Sequence, residues 1–124
     1  MEWDEIGQDS LRAARRAQSE HVRTAVSRAY YAFHSVLTRA LIDAGYALAA
    51  NRQTPPHNAQ AKLIGEHFGG RGNHFVRDLR AIYRRLYAAR LDADYNRRAT
   101  VDSRVSLQAV RDAHRAFQML EVTP

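Results

Sequence analysis

The chain contains no cysteine, so disulfides and thiolate metal sites are both excluded. Lysine is nearly absent: Lys62 is alone among 19 Lys and Arg residues, the rest being arginine. Proline and glycine are sparse, with 3 and 6 copies, and they concentrate at Pro55-Pro56 and at Gly69-Gly70-Arg71-Gly72. These two places read as breaks between helices. No apolar run approaches the roughly 20 residues that a membrane-spanning helix needs, and the N-terminus lacks the pattern of a secretory signal. A soluble cytoplasmic protein with no membrane association is therefore expected. No apolar–polar alternation of strand type, internal repeat or composition shift marks a second unit, so residues 1–124 are read as one all-α domain.

Hydrophobic residues make up 45% of the 124 positions, enough for a real core. The formal net charge is +6, which suits an anionic partner such as RNA, DNA or an acidic protein.

The chain is organised around Ser27 to Ile42, sixteen residues without Gly or Pro. Helical spacing puts Tyr30, His34, Leu37, Leu41 and Ala44 on one stripe, with Phe33 and Ala40 beside it. Arg28, Tyr31 and Ser35 share a neighbouring stripe. The tyrosine hydroxyls and the charge need partners if this face is buried. This second helix is expected to begin near Thr24 as cap, to run to about Asp43 and to stop at Gly45. A first helix is expected over Met1–Glu20, with Trp3, Ile6, Ser10 or Leu11, Ala14 and Ala17 inward. Residues 46–57 form the longest loop. A short helix from about Asn58 to Phe68 turns Ala61, Ile64 and Phe68 inward, and the glycine cluster ends it. That cluster lacks the Gly-Lys-Ser/Thr ending of a phosphate loop.

A fourth helix is expected over His74–Ala93, with Phe75, Leu79, Ile82, Tyr83 and Leu86 inward. Arg90 falls on that stripe, seven residues after Tyr83, and Asp94 is one turn further on as its local partner. The last helix starts at Asp102 or Ser103 and buries Ser106, Val110, Ala113, Phe117 and Leu120. Four long helices and one short one, with short connections, describe an up-down antiparallel bundle. His67 and His74 flank a loop without the carboxylates that would complete a metal site, so neither metal nor cofactor is expected.

Ser27-Arg28-Ala29-Tyr30-Tyr31-Ala32 with His34 resembles the second-helix signature of HEPN-domain proteins, especially small single-domain prokaryotic members. Arg90 followed by Leu91-Asp92-Ala93-Asp94-Tyr95 is similar to their Arg-x-x-Ala-Asp-Tyr segment, and His57 to a histidine that opens their short helix. The resemblance covers about residues 5 to 120. It implies a helical homodimer and, for many members, metal-independent ribonuclease activity. Some members are toxins paired with a nucleotidyltransferase-like antitoxin or act in defence, whereas others are noncatalytic modules that bind nucleotide, RNA or the nucleotidyltransferase partner. The ribonuclease signature is an arginine, then four to six residues, then a histidine. Here Tyr95 stands five positions after Arg90, and a phenol is a poorer base at neutral pH than an imidazole. The catalytic candidates are accordingly Arg90, Tyr95 and His34. The binding candidates are Arg28, Tyr31 and Asp94, with Arg97 and Arg98 as the basic exit towards RNA.

Overall fold

A computed structural model describes residues 2–124. It holds five α-helices, α1 Glu2–Ala17, α2 Val22–Asp43, α3 Gln60–Phe68, α4 Asn73–Tyr95 and α5 Ser103–Met119. Two 3-10 turns, His57–Ala59 and Gly69–Arg71, flank α3. No strand occurs among the described residues. α2 lies against α1, α3, α4 and α5, while α4 also packs on α3 and α5. Among the described residues, no helix is long and apolar enough to cross a membrane.

The central position of α2 follows from its composition. Ala25, Val26, Ala29, Tyr30, Ala32, Phe33, Val36, Leu37 and Leu41 are all fully buried, and they cover more than one face. A helix apolar on several sides is stable only when it is surrounded. The stripe expected for it holds from Tyr30 to Leu41, but Ala44 lies past the helix end and is exposed. Gly45 takes φ +103°, the left-handed conformation that suits glycine at a helix stop.

The start of α2 departs from expectation. The cap position is His21, with no side-chain hydrogen bond, and Thr24 is an exposed residue inside the helix. The approach is nearly continuous instead, because the His21 amide donates to the Ala17 carbonyl at 2.8 Å and the Ala25 amide to that of His21 at 2.9 Å. α1 is shorter than expected: it ends at Ala17, and Met1 lies outside the described residues.

The inward face of α1 is as expected at Leu11, Ala14 and Ala17 but departs from expectation in its first turns. Gly7, Leu11, Ala14 and Ala17 are buried, whereas Ile6 is 47% exposed and Trp3 half-buried. The reason is a close approach of α1 to α2. A Cβ on Gly7 would lie 2.7 Å from Val36 Cγ1 and 3.1 Å from the Ala32 carbonyl oxygen. The smallest residue therefore sets the contact line, and the bulky Ile6 is turned aside. Gly7→Val is expected to lower stability by about 2 kcal/mol through overpacking, read as a reduced urea midpoint at unchanged m-value. An unchanged midpoint would mean that α1 can back away without loss.

The later elements follow the pattern more closely. Leu79, Ile82, Tyr83 and Leu86 are buried along α4, with Phe75 half-buried. α4 begins at Asn73 and continues to Tyr95, one residue earlier and two later than the spacing predicts. α3 buries Gln60 and Leu63 beside Ile64 and Phe68, while Ala61 is only half-buried. Residues 57–59 form a 3-10 turn and not the first turn of α3. Asp102 caps α5, its Oδ1 accepting from the Arg104 and Val105 amides at 3.1 Å each. Ser106, Val110, Ala113, Phe117 and Leu120 are buried as expected.

Arg23 of α2 closes the far end of α4. Its Nη1 donates to the carbonyls of Asp92, Ala93 and Asn96 at 2.9, 3.2 and 3.0 Å. Its Nη2 reaches the carbonyls of Ala99 at 2.8 Å and Arg97 at 3.5 Å. One guanidinium thus satisfies carbonyls that the helix end leaves open and holds the turn carrying Arg97 and Arg98.

Candidate functional site

The polar residues of α2 and α4 meet where the two helices pack. Arg90 is buried to 8% exposure. Its Nε donates to Asp94 Oδ2 at 3.1 Å, and its Nη2 donates to the Tyr31 hydroxyl at 2.9 Å and the Tyr95 hydroxyl at 3.3 Å. The guanidinium carbon also lies 5.4, 5.5 and 5.2 Å from the ring centres of Tyr30, Tyr31 and Tyr95. Three aromatic faces and one carboxylate therefore compensate a charge that could not otherwise be buried. Ser27 donates to Asp94 Oδ2 at 3.3 Å and fixes the same carboxylate from α2. The Arg90–Asp94 pair expected from spacing is present, and Tyr31, which shares the Arg28 stripe, joins it.

A second group lies beside the first. His34, 3% exposed, stacks on His57 with ring centres 4.5 Å apart and planes at 26°. The Tyr30 hydroxyl is 2.6 Å from His57 Nδ1, and Gln60 contacts both Tyr30 and His34, at 2.8 and 3.0 Å. The Tyr83 hydroxyl donates to the His57 carbonyl at 2.9 Å and anchors the turn that presents this histidine. His34 Nε2 is buried and has no hydrogen-bond partner among the described residues.

Burial sets the protonation of this group. Desolvation drives His34 from 6.5 down to about 4, opposed by the hydrogen bond to Gln60 and assisted by His57 and Arg90. His57 is lowered in the same direction, first by burial and then by Arg90 and Arg52. Burial pushes the Tyr30 phenol up, partly offset by the Gln60 hydrogen bond. At neutral pH the cluster holds two uncharged imidazoles and an un-ionised phenol.

Two clefts open onto these residues, and both are lined by Arg28 and Tyr31. One, of about 540 Å³, lies over Arg23, Ser27, Asp94 and Tyr95. The other, of about 270 Å³, is walled by Trp3, Ile6, His34 and His57. Arg28 is exposed and forms no ion pair or side-chain hydrogen bond among the described residues. Of the residues singled out from sequence, Arg90, Asp94, Tyr95 and Tyr31 come into direct contact. Arg28 and His34 reach the cleft walls. Arg97 and Arg98 are exposed just beyond α4, held by their backbone and not directed into the contact group.

Gln60 and Arg23 are the side chains around these clefts that sequence reasoning passes over. An uncharged amide at a helix start reads as a cap, and an arginine in the first turn of a helix reads as solvated charge. His57 was reachable only through the resemblance. Comparison of the chain with protein-family models, with curated proteins and with solved structures gives no match.

Proposed function

We propose that this chain is a metal-independent endoribonuclease of HEPN-like type, an antiparallel up-down bundle acting as a homodimer. The observation that carries the reading is Arg90, buried and braced by Asp94, Tyr31 and Tyr95 beside two neutral imidazoles. Such a guanidinium is pre-organised to stabilise the charge that develops on a phosphodiester during attack. The ribose 2′-hydroxyl is the nucleophile, and a base must take its proton. Of the two candidates, His34 has the acceptor without a partner, at Nε2, whereas the Tyr95 hydroxyl already accepts from Arg90. Burial makes His34 a weak base at neutral pH that is ready only when the site charges or opens. Arg28, Arg97 and Arg98 supply the positive surface on which RNA would lie. An anionic nucleotidyltransferase-like antitoxin that covers this surface belongs to the same reading.

A second reading is supported by the same geometry. Two nitrogens of Arg90 are already engaged, and Tyr95 occupies the position of the signature histidine. A noncatalytic module that binds nucleotide, RNA or a nucleotidyltransferase partner would retain this cage for its structure. Incubation of the purified protein with a uridine-rich oligoribonucleotide in EDTA decides between the two. The ribonuclease reading expects cleavage that leaves 2′,3′-cyclic phosphate ends and weakens steeply with salt. Binding without cleavage supports the module, and neither binding nor cleavage overturns both.

A further inference from the structure

The hydrogen bonds of Gln60 determine which nitrogen of each buried histidine carries the proton. Gln60 is fully buried, and its amide nitrogen lies 2.9 Å from the His57 carbonyl oxygen. A carbonyl oxygen only accepts, so this end of the side chain is the NH2 group. Its other proton goes to the Tyr30 hydroxyl at 2.8 Å. The amide oxygen then faces His34 Nδ1 at 3.0 Å, and that nitrogen must donate. Neutral His34 therefore presents a lone pair at Nε2.

The opposite holds for His57. Tyr30, accepting from Gln60, directs its own proton at His57 Nδ1, 2.6 Å away. Neutral His57 consequently carries its proton on Nε2. Tyr31 follows the same logic, since its hydroxyl accepts from Arg90 Nη2 and keeps its proton for another acceptor. The smaller cleft is thus lined by donors at His57, Tyr31 and Arg28, and the orphan acceptor of His34 lies in its wall, closed to solvent.

We propose that this cleft is a ribonucleotide subsite, in which His57 Nε2–H, the Tyr31 hydroxyl and Arg28 bind the phosphate and the adjacent 2′-hydroxyl displaces the side chains covering His34 Nε2 and donates to it. Gln60 and Tyr30 are positioning residues that set the two imidazoles to opposite polarity. A site built this way discriminates RNA from DNA, because a deoxyribose leaves the His34 acceptor without a donor. The choice of RNA as ligand rests on the ribonuclease reading, but binding and discrimination do not require cleavage.

Long-range proton–nitrogen NMR of the imidazoles in the full chain tests the proposal, with 3′-UMP and its 2′-deoxy counterpart as probes. The free protein is expected to show His34 as the Nδ1–H tautomer and His57 as the Nε2–H tautomer. Both signals shift with 3′-UMP, which binds about tenfold more tightly than the deoxy compound, the value of one hydrogen bond. His34→Gln removes this preference while phosphate still binds. Gln60→Glu, which cannot donate to Tyr30, loses the single His57 tautomer. Reversed tautomers in the wild-type protein, equal affinity for the two probes, or no binding of either overturns the proposal. Discrimination without RNA cleavage sinks only the ribonuclease reading. Cleavage without discrimination at His34 sinks only the subsite.

Discussion

Arg90→Ala is expected to lower RNA cleavage by about 10²–10³-fold, the usual effect of removing one pre-organised charge-stabilising donor. Two features make this the most sensitive position in the site. Among the described residues, the guanidinium is the only cation in contact with Tyr31, Asp94 and Tyr95 together, and no neighbouring arginine shares those partners. Arg90→Lys should restore little, since an ammonium cannot reach the carboxylate and two phenols from one planar fork. The alanine variant leaves Asp94 and the Tyr31 hydroxyl without their donor and should also cost about 2 kcal/mol of stability. Activity and stability then separate the roles. A variant that melts earlier but cleaves normally at a temperature where it is folded would make Arg90 purely structural. Tyr95→Phe serves as the companion test. It removes a bond of 3.3 Å from an exposed side chain, so a small effect is expected if Tyr95 only steadies the guanidinium.

Acid should destabilise the fold through His34. His34 has a folded-state value of about 4 against an unfolded 6.5. Between these limits the unfolded chain binds more protons than the folded one, so stability is lost as pH falls from 6.5 towards 4. At about 1.4 kcal/mol per pH unit the full loss is about 3 kcal/mol, of which about 2 kcal/mol falls between pH 7 and 5. His57, lowered by burial and by Arg90 and Arg52, adds in the same direction. The groups facing His34 explain why a second proton is disfavoured there. Tyr30 and His57 are stacked on it, Gln60 already takes its Nδ1 proton, and Arg90 contributes positive charge. Urea unfolding at pH 7 and pH 5, for wild type and for His34→Leu, measures the effect. Equal pH dependence in the two proteins would show that His34 is not the sensor.

What could be read from the sequence, and what could not, divides by the range of the interaction. Asp102 as a cap, Gly45 as a stop and the Arg90–Asp94 pair are contacts within a few residues, and spacing alone reveals them. The inward face of α5 was equally legible because Ser106, Val110, Ala113, Phe117 and Leu120 recur at helical spacing. Only the first turns of α1 escape this reading, because the close approach at Gly7 decides what is turned in there. A glycine inside a helix carries no hydrophobic signal, so apolarity points to Trp3 and Ile6 in its place. The site shows the same division. Arg90 and His34 stand out as polar residues on apolar stripes, with Tyr31 on the stripe beside that of His34. Gln60 reaches His34 and Tyr30, 26 and 30 residues away, and Arg23 reaches carbonyls 69 to 76 residues away. Nothing in their local sequence announces those partners. Ion pairs such as Arg39 with Asp4, and Arg85 with the buried Asp112, belong to this hidden class too.

The arginine that closes α4 has a consequence for the potential outside the molecule. The C-terminal end of a helix carries about half a negative charge from its aligned peptide dipoles and ordinarily repels phosphate. Arg23 meets that end through neutral carbonyls, so its own charge is not cancelled by a carboxylate. It more than offsets the dipole, and Arg97 and Arg98 stand on the turn it holds. A helix terminus that would by default turn a polyanion away is thereby inverted into one that draws it in, beside the cleft over Asp94 and Tyr95.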